Sequence, residues 1–256
     1  MSRLLIAVVT VVLLTAYSAV AVPIDPGMGP ARTAVGSGPL APLWNAAGAV
    51  DTPGVHGAFT VTLGPSDGTT LLIGASIAAA NSPTVCWSMC KLGSDQETWG
   101  TFAFPIFSDT SVGLGVAYAF GADSGVSFHA GILHRGGGWA FAASAMHIAS
   151  ELFGGNLPFE AHAGAAICSI PGVTLTGNIT LSDGEFILAI GGEATIWVIA
   201  LRWGLSIIPT GGIERAGMGL GFTLFSIPVD VSVGVNGSSF RPYASLGISA
   251  NIPAWW

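Results

Sequence analysis

Between Arg215 and Phe225 the chain reads R-A-G-M-G-L-G-F-T-L-F. Ala216, Met218, Leu220, Phe222 and Leu224 alternate with Gly217, Gly219, Gly221 and Thr223. A period of two is the signature of a strand, whose successive side chains point to opposite faces. One face of this strand is greasy and the other is nearly bare. A half-exposed soluble sheet places polar side chains outward, and this pattern offers none. The same alternation recurs along most of the chain. In lipid only helices and closed barrels satisfy every backbone hydrogen bond. The expected fold is therefore all-β, a transmembrane antiparallel barrel of 12–14 strands.

Composition supports a membrane location without helices. Charged residues make up 8% of the 256 residues and hydrophobic ones 51%, with 37 glycines, whereas ordinary domains carry about 25% charged residues. A membrane helix needs about 20 consecutive apolar residues, and only the N-terminus has a long unbroken apolar run. There, Arg3 precedes an apolar core from Leu4 to Ala16, and Ala19-Val20-Ala21 fits a cleavage site. Residues 1–21 read as a secretory signal cleaved near Ala21, which implies export to the bacterial outer membrane and contact with its lipid. The formal charge is −7, Lys91 is the only lysine and the six arginines are scattered. A chain without a basic patch has no footprint for nucleic acid.

Residues 22–56 are rich in Gly, Pro and Ala, hold no sustained alternation, and carry Leu40, Leu43 and Trp44. They read as an N-terminal hatch or plug, and 57–256 as the barrel. Strands are predicted at 57–63, 69–80, 98–107, 111–120, 124–134, 138–148, 159–169, 172–181, 185–191, 195–207, 215–225, 228–235 and 240–252. Most are close to the roughly 9–11 residues a tilted membrane strand requires. Thirteen is an odd count for a single-chain barrel, so either one strand hides in 22–56 or one hairpin before residue 80 is a single bent strand. The longest connection is 81–97, and 192–194 reads as a tight break. Trp99, Trp139, Phe159, Trp197, Phe225 and Phe240 fall near strand ends, where aromatic girdles belong.

Register sorts side chains into lipid-facing and lumen-facing rows. On 195–207 the outward row is Trp197, Ile199, Leu201, Trp203 and Leu205; on 228–235 it is Val229, Val231, Val233 and Val235. The same parity puts His129, Glu160, His162, Glu185, Glu193, Arg202, Arg215, Asp230 and Arg241 inward. An Arg on the lipid face near the midplane would cost about 2–4 kcal/mol. These inward groups either line a passage or pair with one another as lumen filling.

Catalytic chemistry is absent: there is no nucleophile elbow, phosphate loop or metal-ligand spacing, and the five histidines are dispersed. The chain reads as neither an enzyme nor a cofactor or metal binder. Cys86 and Cys90 lie in the stretch 81–97, either as a disulfide that export would permit or as two thiols.

Three stretches carry a resemblance. Ala31-Arg32-Thr33-Ala34-Val35-Gly36 is followed by Leu43-Trp44-Asn45-Ala46-Ala47-Gly48; then come Phe102-Ala103-Phe104-Pro105-Ile106 with Ser111-Val112-Gly113-Leu114-Gly115-Val116; last come Gly192-Glu193-Ala194 to Trp203 and Arg215 to Phe225. In this order they resemble the FadL/PorV-type outer-membrane barrels. Ala46 stands where that family usually has Pro, and Pro253 interrupts the last strand. The resemblance implies about 14 strands around an N-terminal hatch, with Leu43, Trp44 and Asn45 as hatch residues. Its FadL branch implies passage of hydrophobic, fatty-acid-like small molecules. Its PorV branch implies instead a non-transporting scaffold that binds secreted protein partners through outer loops, 81–97 above all.

Overall fold

The structure is a computed structural model that describes residues 34, 38–49, 54–64, 68–79, 82–92, 95–121, 124–153, 157–225, 227–237 and 241–253. The predicted signal segment, most of the stretch preceding residue 38, and Phe240 lie outside the described residues.

Fourteen antiparallel strands close into one barrel. They are β1 (Gly54–Gly64), β2 (Gly68–Ala78), β3 (Thr84–Leu92), β4 (Asp95–Phe107), β5 (Thr110–Phe120), β6 (Gly125–Gly136), β7 (Trp139–Ile148), β8 (Glu160–Ile170), β9 (Val173–Ser182), β10 (Glu185–Ile196), β11 (Ile199–Ile208), β12 (Gly212–Leu224), β13 (Ile227–Asn236) and β14 (Arg241–Pro253). Each strand pairs with its neighbours in sequence, and β1 closes the ring on β14, Gly54 opposite Pro253. Closure leaves no free sheet edge, the condition for a sheet in lipid.

The rim where β1 begins and β14 ends, the terminal rim, carries tight connections at 79–83, 108–109, 137–138, 171–172, 197–198 and 225–226. The opposite, distal rim carries the longest connection, 149–159. On that rim Asp183 and Gly184 both have positive φ, 49° and 77°, the geometry of a two-residue hairpin turn that follows the sheet twist.

The outward rows are apolar and exposed: Phe102, Leu114, Val116, Leu175, Ile179, Leu201, Trp203, Leu220, Val231, Val233, Leu246 and Ile248 among them. The inward rows are small or polar and buried: Thr101, Ala103, Thr176, Asn178, Thr180, Arg202, Ser206, Asp230, Ser232, Ser245 and Ser249. A barrel in lipid is thus inside-out relative to a soluble one, which is why the core here is short of large apolar side chains.

Three sequence expectations are corrected. The stretch 81–97 is strand β3 and the start of β4, which supplies the fourteenth strand. Val85 and Trp87 face outward, while Thr84, Cys86 and Ser88 face inward; the cysteines serve as the small residues of an inward row. Second, Gly192, Glu193 and Ala194 lie within β10, and the chain turns at Trp197 and Val198 instead. Trp203 covers Gly192 from the next strand, so that a Cβ there would sit 2.7 Å from the indole nitrogen. This glycine serves aromatic packing, not a turn. Trp197 consequently leaves the outward row of β11 and stands at a turn tip, 96% exposed with φ 59°. Third, Trp99 is not a girdle residue: it is 4% exposed, on the inward row of β4.

Val231 lies at the middle of β13, facing out. Val231→Arg is expected to destabilise the folded barrel by about 2–4 kcal/mol, measured by denaturant-dependent refolding into lipid vesicles. A loss equal to that of Val231→Leu would contradict the assignment of this face to lipid.

Candidate functional site

Among the described residues most buried polar side chains lie on the inward rows, and glycines on the inner wall decide how they meet. Side chains on strands i and i+2 can touch only if the strand between them presents no Cβ at that level. His129 of β6 passes over Gly115 of β5 to reach Thr101 of β4, Nε2 to Oγ1 2.8 Å. Arg202 of β11 passes over β12 beside Gly221 to pair with Asp230 of β13. A Cβ on Gly221 would lie 2.6 Å from Arg202 Nη1 and 2.5 Å from Asp230 Oδ1. The Tyr243 ring of β14 lies on Gly234 of β13, and the Arg215 guanidinium of β12 stands 5.9 Å from the ring centroid.

Other inner glycines seat the chain segment 38–49, which lies inside the barrel against β2–β7. Gly74 accommodates Pro39 and Leu40, Gly113 accommodates Ala46, and Gly131 accommodates the Asn45 side chain. Wall hydroxyls fasten the segment by donating to its carbonyls: Ser88 to Pro39 at 2.7 Å, Ser111 to Ala47 at 3.1 Å and Ser144 to Trp44 at 2.6 Å. Asn45 Nδ2 donates to the Ile132 carbonyl at 3.1 Å, and its Oδ1 accepts from Ala47 N–H at 3.0 Å. Leu43 packs on Trp99, Ala117 and Met146. Ala34 and Ala47 pack with Leu133, Ala140, Ala142 and Ala166. One side of the lumen, β2–β8, is therefore occupied, by this segment and by the apolar clusters it completes.

On the other side, Arg202 also donates from Nε to Glu193 of β10 at 2.5 Å. Arg202, Glu193 and Asp230 form one buried trio toward the terminal rim, and Thr195 donates to the second Glu193 oxygen at 3.2 Å. Arg215 Nε donates to Asn236 Oδ1 at 3.1 Å near the distal rim. Glu185 and Arg241 sit at the distal ends of their strands, exposed.

A second polar group lies at the distal mouth. On β7, Met146 and His147 both oppose His129 of β6, a bulge with His147 at φ 55°. Bulges re-aim side chains, and this one turns His147 toward Glu97 of β4, Nε2 to Oε1 2.9 Å, and toward the Pro158 carbonyl, Nδ1 to O 3.0 Å. Both ring nitrogens face acceptors, so the ring must carry both protons to keep both bonds. His147 thereby ties Pro158 to β4, three strands away, above the Leu43–Trp99–Met146 cluster. Beside it, Glu160 accepts from the Ser182 hydroxyl (3.1 Å) and lies 3.2 Å from His162 Nε2, and His162 Nδ1 lies 3.0 Å from Thr180 Oγ1.

The structure thus joins Glu193, Arg202 and Asp230, joins Glu160 and His162, and leaves His129 on a separate wall segment. Glu97 and His147 were not marked by the sequence reading: one lay in a presumed loop, the other on the outward parity that the bulge reverses. The disulfide between Cys86 and Cys90 is corrected. Both thiols are free, and four residues along one strand separate them by roughly 13 Å, beyond disulfide reach. Cys86 instead donates to the Pro39 carbonyl, 3.1 Å away. Among the described residues no His, Cys, Asp or Glu cluster could hold a metal ion.

No protein-family model matches the sequence, and no curated protein is similar to it in sequence. By fold the chain is similar to the Ralstonia pickettii toluene transporter TbuX, with TM-score 0.68, 9% identity, and 91% of this chain and 99% of that one covered. It is also similar to the CymD monoaromatic hydrocarbon channel, with TM-score 0.69, 11% identity, and 92% and 99% covered. A mutant of the Rh. blastica porin is similar at TM-score 0.51, 11% identity, and 78% and 99% covered. At these identities the likeness establishes the fold alone.

Arg202→Met removes the one cation from two buried carboxylates and is expected to cost about 3–5 kcal/mol in denaturant unfolding. Adding Glu193→Gln and Asp230→Asn should recover much of that loss; no recovery would show that the trio is not a charge-balanced unit. His147→Ala should raise amide hydrogen exchange at 157–160, and unchanged protection there would contradict the tether.

Proposed function

We propose that the chain is an outer-membrane barrel of the FadL-like kind that passes small hydrophobic molecules, with its terminal rim in the periplasm and the segment 38–49 as its hatch. The observation that carries this reading is the division of the lumen. The hatch fills the β2–β8 side, whereas the inward rows of β9–β14 are mostly Gly, Ala, Ser and Thr, so bulk is withheld from that wall. On β12 three successive inward positions, Gly217, Gly219 and Gly221, present no side chain. The cluster of Leu43, Trp99, Ala117 and Met146 offers an incoming apolar molecule its first contact, beneath the His147 tether. The similarity in fold to a toluene transporter and a monoaromatic hydrocarbon channel supports small aromatic hydrocarbons as the class to try first.

The scaffold reading placed partner binding on 81–97. Within that stretch residues 84–92 and 95–97 are barrel wall, not loop, which removes the argument for it as a contact loop.

Initial uptake of radiolabelled toluene by Gram-negative cells lacking hydrocarbon channels tests the proposal. Cells with the assembled barrel should take up toluene several-fold faster than vector controls, and Gly219→Leu should cut the gain. Equal rates with and without the assembled barrel would overturn the reading.

A further inference from the structure

We infer that the β13–β14 wall holds a binding niche for a neutral hydroxyl group, so that the passage discriminates for hydroxylated aromatic molecules over bare hydrocarbons. The inference rests on the passage reading above and refines its substrate class.

The niche surrounds Gly247, on the inward row of β14. Asp230 lies directly opposite Gly247, and Ser232 lies directly opposite Ser245. Ser245 and Ser249 flank Gly247 on its own strand at two residues' distance. Cross-strand neighbours and i, i+2 neighbours on one face lie within about 7 Å, so all four side chains border the one bare position. All four are buried: Asp230 and Ser232 at 3% exposure, Ser245 and Ser249 at 5%. Each presents a polar atom without a hydrogen-bond partner: Asp230 Oδ2 and the hydroxyls of Ser232, Ser245 and Ser249.

A buried polar group left unpaired costs roughly 1–3 kcal/mol, and four around one position are a concentrated expense. Some inward groups cross to a protein partner, as His129 Nε2, Arg202, Ser88, Ser111 and Ser144 do. Other buried groups, the hydroxyls of Ser76 and Ser127 among them, are unpaired as well, but among the described residues only around Gly247 do four such atoms border one position. Ser232 and Ser245 face each other and make no such bond.

The chemistry selects the ligand group. Asp230 already spends Oδ1 on Arg202, which compensates its charge and leaves Oδ2 as an unused acceptor. The three serines can each donate or accept. A neutral hydroxyl, donating to Asp230 Oδ2 while accepting from a serine, matches this set. A hydrocarbon satisfies none of it.

The test is isothermal titration of benzyl alcohol, toluene and benzylamine into the full barrel in lipid nanodiscs, with empty-nanodisc subtraction, for the wild type and Ser232→Ala/Ser245→Ala/Ser249→Ala. The wild type should bind benzyl alcohol about ten-fold more tightly than the triple variant, the worth of one to three neutral hydrogen bonds. Toluene affinity should differ less than two-fold. The variant should unfold at an equal or higher denaturant concentration than the wild type, because it loses only unpaired hydroxyls. Ser245→Ala alone should show a smaller change in the same direction. Equal benzyl alcohol affinity in wild type and variant would overturn the niche, as would tighter binding of benzylamine. Toluene uptake by cells decides the passage reading separately: uptake with no serine effect refutes the niche alone.

Discussion

The structure depends on the absence of Cβ atoms at chosen points of the inner wall. Lipid demands closure, since an open edge would leave backbone groups unpaired. Closure at fourteen strands encloses more space than wall side chains alone can span. The chain fills part of it with its own segment 38–49 and bridges part of it with polar side chains that step over a strand. Both solutions need a glycine underneath. Gly74, Gly113 and Gly131 receive the segment; Gly115, Gly221 and Gly234 lie under His129, the Arg202–Asp230 pair and Tyr243.

This constraint links stability to the passage proposed above. The trio of Glu193, Arg202 and Asp230 is affordable in the lumen because Gly221 lets the charges meet, and breaking a buried pair costs far more than omitting it. The same sparing use of side chains leaves the β9–β14 wall thin, which a passage for small molecules requires. The filled side is not inert packing either. It is held by hydroxyl-to-carbonyl bonds of Ser88, Ser111 and Ser144 and by one apolar contact around Leu43, interactions of modest strength each.

Much of the fold is legible in the sequence, because the alternation of Val229, Val231, Val233 and Val235 with Asp230, Ser232 and Gly234 assigns the two faces of a strand, and its recurrence beside nearly bare glycine rows such as that of 215–225 points to a closed barrel. What was not legible depended on neighbours outside the local pattern. Strand β3 was obscured because its inward row contains two cysteines, which read as loop chemistry. Gly192 looked like a turn residue until Trp203, eleven residues on, was seen to cover it. Trp99 sat near a strand end but on the inward parity. His147 had the wrong parity altogether; a bulge with positive φ carries no sequence mark. The meaning of the glycine row in β12 lies on its two neighbouring strands, in Arg202 and Asp230, and no reading of 215–225 alone contains it.

The account stands on the segment 38–49 lying inside the barrel, with Pro39 against Cys86. The most direct measurement is oxidative cross-linking of Pro39→Cys to the native Cys86, with Cys90 and Cys168 changed to Ser, in barrels assembled in membranes. The account predicts a disulfide that forms without a spacer reagent and is reversed by reductant. Two thiols that both remain free under oxidation, in a barrel that is correctly folded, would contradict it.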